Sequence, residues 1–166
     1  MNQILKWLLI ITGSMVAFGA LPFLVAPLVN NHNLNKLEER FLNVKHPSRS
    51  DSVKRFSKVG LLHHGNGNNC SYVVGEVRST SGELSEALAS YADLRIASTS
   101  GKAACEVRAL ALAPLLAEPD SMAGRLGFYD DSIFRDLEAA SGDKEKLYLL
   151  TCADTMHPAG FDIRCH

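Results

Sequence analysis

Hydrophobic and polar positions divide this chain into three regimes. From Trp7 to Val29, twenty-three residues run without a charge, and Lys6 is the only charge before Lys36. At a rise of about 1.5 Å per residue, such a run as a helix exceeds the hydrocarbon core of a bilayer, about 30 Å. The pattern then changes period. Leu34, Leu37, Phe41 and Val44 recur at three- and four-residue steps, as on one face of a helix, with Asn33 placed as an N-cap. Pro47 ends that helix, because the residue before a proline is biased away from helical backbone. Beyond it the apolar positions come in short segments of alternating or continuous character, as in a small globular domain. The expected organisation is a transmembrane anchor over 1–29, a juxtamembrane helix and linker over 30–51, and a domain over 52–166.

Within the domain, "VKRFSKVGLL" and "CSYVVGEVRS" read as extended segments rich in β-branched and aromatic residues. Asn66-Gly67 between them is a hairpin signal, since both residues tolerate positive φ. Thr80 to Glu83 fits a capping box, followed by the helical stripe Leu84, Ala87, Leu88, Tyr91 and Leu94. A short strand is expected near Leu94–Ser98 and another over "AACEVRALALA". The segment from Pro114 to Asp130, with prolines at 114 and 119, reads as irregular. A helix fits Asp131 to Ala140, with Asp130 and Asp131 as capping and dipole-compensating acids. "KLYLLTC" and "FDIRC" read as two last strands. Strand pairs interleaved with about two helices predict an α+β fold: one mainly antiparallel sheet, its inner face under the helices.

Charge and cysteines then narrow the class. The net charge of −1 lacks the basic excess of a nucleic-acid binder, so no nucleic-acid partner is expected. Lys36, Arg40, Lys45 and Arg49 follow the apolar run, and by the positive-inside rule alone they would hold the domain in the cytoplasm. Four cysteines with no CxxC pair instead point to an oxidising compartment and two disulfides. The balance favours a domain on the extracytoplasmic, periplasmic side of a cell membrane. An export signal cut after Ala17-Phe18-Gly19 is the alternative to an uncleaved anchor. The cluster Arg49, Lys54, Arg55 and Lys58 reads as a solvated strand edge or as a contact for anionic head groups.

Candidate chemistry is sparse. Gly65 and Gly67 form one GxG before a strand, which is neither a dinucleotide fingerprint nor a P-loop, so no cofactor is expected. His63 and His64 are the candidate metal ligands, but neighbours on a strand point to opposite faces and no zinc spacing is present. Among the disulfide candidates, Cys152 is expected to pair with Cys165 and Cys70 with Cys105. The run "NNCSYVV" resembles the cysteine-bearing start of NlpC-type and CHAP-type cell-wall peptidases. That resemblance implies Cys70 as nucleophile and His157 as base. The chain departs from it where Cys70 opens a strand rather than a helix. The function expected first is a non-enzymatic protein-binding, assembly or inhibitor domain of the cell envelope. The alternatives are a cell-wall peptidase or amidase and a metal-binding domain.

Overall fold

The computed structural model describes residues 3–62, 68–101, 104–140 and 143–166. Helix α1 runs without interruption over Gln3–Leu42. The apolar run and the amphipathic stretch are therefore one helix, and Asn33 lies inside it rather than capping a second one. Pro22 and Pro27 do not break it. From Gln3 to about Val29 its side chains stay largely outside the folded body, on every side of the helix. Beyond that point Leu34, Leu37 and Phe41 turn into the core. It is long and apolar enough to cross a membrane.

Among the described residues, five strands form one antiparallel sheet: β1 (Ser50–Gly60), β2 (Asn69–Thr80), β3 (Arg95–Ala97), β4 (Ala104–Ala111) and β5 (Leu147–Pro158). Their order is β1-β2-β5-β4-β3. Side chains alternate across the sheet, and both of its faces are covered. Tyr72, Val74, Tyr148, Leu150 and Cys152 pack against α1 and against α2 (Leu84–Ala89). Val73, Val77, Leu147 and Leu149 pack against α3 (Leu112–Ala117), α4 (Pro119–Leu126) and α5 (Asp131–Glu138). Interior strand β2 is thus buried on both faces. At Gly75 the Phe56 ring of β1 lies so close that an added Cβ would sit 2.2 Å from it.

The α+β class with a mainly antiparallel sheet is as the sequence predicts, but the helices are more numerous. Helices α3 and α4 occupy the segment expected to be irregular. Pro119 is the first residue of α4, and Pro114 falls in the first turn of α3. There a missing N–H removes no helical hydrogen bond. Glu83, not Thr80, is the N-cap of α2, and it makes no side-chain cap bond; Thr80 Oγ1 instead accepts from the Gly82 amide. Asp130 does cap α5, accepting from the amides of Ser132 and Ile133. "FDIRC" is not a strand. Asp162 accepts from the Arg164 amide and caps a single 3-10 turn over Ile163–Cys165. The proposed Asn66-Gly67 turn lies outside the described residues.

Both expected disulfide pairings are wrong. Cys70 bonds Cys165 and Cys105 bonds Cys152, with Cα–Cα distances of 4.9 and 5.9 Å. Strand order explains this. β2 and β4 lie on opposite sides of β5. A 70–105 bridge would have to span two strand spacings, about 9.5 Å, beyond the reach of about 7 Å between Cα atoms. Cys105 and Cys152 lie on neighbouring strands.

Candidate functional site where the apolar helix meets the sheet

The polar groups of the helix-facing side gather at two ends of the sheet. One group lies where α1 enters the folded body. Asn30 is buried there, one helical turn before Leu34 on the same face. Its amide nitrogen donates to Asp162 Oδ2 at 2.9 Å, to the Ala159 carbonyl at 3.4 Å, and toward Cys70 Sγ at 3.2 Å. Its oxygen accepts from the Tyr72 hydroxyl at 2.9 Å. Asp162, also buried, accepts from Arg164 Nε at 2.9 Å and Nη2 at 2.6 Å. Arg164 donates onward to Asn31 Oδ1 at 2.8 Å. The Arg164 guanidinium, with help from Asn30, holds the Asp162 carboxyl at about 2, below its ordinary 3.8.

Beside it sit His157 and Asp154. On an unbroken strand, residues 154 and 157 would face opposite ways. The β2–β5 register shifts by one residue between Cys70↔His157 and Tyr72↔Asp154. The extra residue makes a bulge at which Met156 takes a φ of 68°. That bulge returns His157 to the Asp154 face, where its ring lies 4.5 Å from that of Tyr72. His157 Nε2 comes within 2.8 Å of Asp154 Oδ1, although the angle is poor for a hydrogen bond. Asp154 also accepts from the Ser98 hydroxyl at 2.8 Å and the Thr99 amide at 2.9 Å. Burial pushes the Asp154 carboxyl up, but His157, the Thr99 amide and Ser98 outweigh it and hold it below its ordinary value.

The second group lies at the other end of the same face. Glu76, fully buried, accepts from Arg55 Nε at 3.0 Å and Arg78 Nη1 at 2.8 Å. Arg78 donates to Ser50 Oγ at 2.8 Å and to the Ser50 carbonyl at 2.7 Å. The Ser50 hydroxyl meets that of Tyr148, and His46 Nδ1 lies 3.0 Å from the Tyr91 hydroxyl. Burial pushes Glu76 up, while hydrogen bonds from Ser52, Arg78 and Arg55 bring it below its ordinary value. Each charge in this group has its partner, as a buried ionic cluster requires.

The chemistry these groups can perform is restricted. Cys70 and His157 are cross-strand partners, so the fold brings the two peptidase candidates together. The Cys70 sulfur, however, is bonded to Cys165, and a disulfide sulfur is not a thiolate nucleophile. The Ser98 hydroxyl donates to a carboxylate rather than to an imidazole, so Ser98, Asp154 and His157 do not form a relay in which histidine receives the serine proton. Among the described residues, Cys70, Cys165 and Asp162 bring three potential metal-ligand atoms within 4.8 Å of one another. Their two sulfurs are joined, and the carboxylate is held by Asn30 and Arg164. His63 and His64 lie outside the described residues. Lys54 pairs with Asp136, Arg55 with Glu76 and Lys58 with Asp130, so these β1 cations are matched by acids within the domain.

Sequence reading missed Asn30, Asp154, Asp162 and Arg164. Asn30 had a signal: it precedes Leu34 by four residues, on the stripe that continues through Leu37 and Phe41. No protein-family model, curated protein or solved structure matches this chain.

Proposed function

We propose that this chain is a single-pass, membrane-anchored protein of the cell envelope, with its domain on the extracytoplasmic side. There the domain acts without catalysis, binding another envelope protein in assembly or inhibition. The observation that carries this reading is the continuity of α1. The apolar helix runs into the core through Leu34, Leu37 and Phe41, and Asn30 ties it to the C-terminal loop. A flexible tether would leave the domain free to reorient, whereas this joint holds one surface at one height above the bilayer. The two disulfides support an oxidising compartment. The opposing charge signal is weakened because Arg40 donates to the carbonyls of Ala97 and Ser98, giving it a structural task unrelated to topology.

Three measurements test the reading. Intact mass after alkylation without reduction should show no modified cysteine, and four after reduction. Fast labelling of Cys70 in the native protein would instead favour the peptidase reading. An alkaline-phosphatase fusion after Val44 should be active, and an inactive one would put the domain in the cytoplasm. A photo-crosslinker at exposed Val53 and other domain surface positions should trap a discrete envelope protein in intact cells; its absence at every position would sink the binding role.

A further inference from the structure

The loop after β5 turns its side chains opposite to the habit of a water-facing loop. Asp162 and Cys165 point inward and are fully buried. Phe161 and Ile163, on either side of Asp162, point outward with 51% and 77% of their surface exposed. Polar groups inside and large apolar groups outside is the informative inversion, because a loop in water gains by the reverse. This loop does not stand alone. The Phe161 ring lies 4.9 Å from that of Phe23 on α1, and Gly160 packs against Ala26. The exposed apolar surface of the loop is therefore continuous with that of the apolar helix.

Depth follows from helix geometry. Phe23 lies sixteen residues beyond Trp7, about 24 Å along the helix axis, within a hydrocarbon core of about 30 Å that begins near Trp7. A residue touching Phe23 then lies at the level of the acyl chains or their boundary with the head groups. Arg164 suits the same boundary: its guanidinium is held by Asp162 and Asn31, and an arginine stem can lie in apolar surroundings while its head stays polar.

Resting on the membrane reading of residues 7–29, we propose that the loop over residues 159–165 is a second membrane contact. It inserts Phe161 and Ile163 into the outer edge of the bilayer beside the anchor. The Cys70–Cys165 disulfide and the Asn30–Asp162 bond fix the loop to the sheet and to α1. The domain thereby sits on the lipid with a set face toward it.

Trp7 is the only tryptophan, which gives the test its internal reference. The full chain is reconstituted in phosphatidylcholine vesicles with and without acyl-brominated lipid, which quenches tryptophan emission at bilayer depth. Three variants in a Trp7→Phe background carry Phe161→Trp, Ile163→Trp or Val53→Trp, the last at an exposed position of β1 near the far end of the sheet. Intact mass verifies both disulfides in each. Trp7 of the parent protein should be quenched, and tryptophan at 161 or 163 should show about half or more of that fractional quenching. Tryptophan at 53 should show none. If Trp7 is quenched while tryptophan at both 161 and 163 behaves like that at 53, the loop contact is overturned and the anchor stands. An unquenched Trp7 overturns the anchor and the loop contact with it.

Discussion

Asp162 shows how much one buried side chain can depend on its protonation state. Its carboxyl is held at about 2 against an ordinary 3.8. A carboxyl depressed in the folded protein stabilises it fully above the unfolded value, and the contribution is lost as pH falls through the folded one. The window is therefore about pH 4 to 2, and the size about 2 kcal/mol. Asp162→Asn should be less stable than the parent by about that amount at pH 7. In chemical melts of detergent-solubilised protein, the gap should close between about pH 4 and 2; a gap of constant size would show that the charge is not its source. Glu76 raises the other residue-scale question, a buried ion held by two arginines. Removing one member of such a cluster leaves an uncompensated charge. Glu76→Ala should therefore cost about 3–5 kcal/mol, read as a lowered midpoint of thermal unfolding.

At the scale of an element, the β5 bulge decides what the end of the strand presents. One additional residue sets His157 beside Asp154 and Tyr72 rather than on the face toward α3–α5. Met156 carries the positive φ that the bulge needs, a conformation costing a side-chain-bearing residue roughly 1 kcal/mol. Met156→Gly should raise stability by up to about 1 kcal/mol, while Met156→Val should lower it, since a β-branched residue fits that backbone worst. A thermal melt of both variants checks the pair, and a stabilising valine would argue against the bulge. Helix α1 poses the complementary case. Its apolar half is largely exposed and touches the domain through Phe23 and Ala26, whereas its last three turns contribute Leu34, Leu37 and Phe41 to the core.

For the whole molecule, the two disulfides play unequal parts. Cys105–Cys152 joins neighbouring strands already paired in the sheet, at a sequence separation of 47. Cys70–Cys165 spans 95 residues and fastens the C-terminal loop against β2 and α1. Closing so long a loop removes the most freedom from the unfolded chain. Cys165→Ser, in a Cys70→Ser background to avoid a stray thiol, should lower stability by about 2–5 kcal/mol. It should also increase protease cleavage after Phe161 more than elsewhere. Equal protection of the loop with and without the bridge would show that Asn30 and Arg164 suffice to hold it.

Much of this architecture is legible in the sequence because its causes are local. The uncharged run of residues 7–29, the Leu34–Leu37–Phe41 stripe, the strand at residues 70–80 and the Asp130 cap are each set within about ten residues by periodicity, charge and backbone preference. The helical turns at residues 112–126 were hidden because proline usually breaks a helix, and its tolerance in a first turn depends on where that turn begins. What only the tertiary structure decided involves distant partners. The cysteine pairing follows from β5 lying between β2 and β4, the partnering of Asn30 with Asp162 from the docking of the C-terminal loop, and the face of His157 from a one-residue register shift. None of these is encoded in a local pattern, because each is selected by long-range packing of segments that read alike in isolation. The peptidase-like pair shows the consequence: the fold sets Cys70 opposite His157, but it also brings Cys165 to the same sulfur.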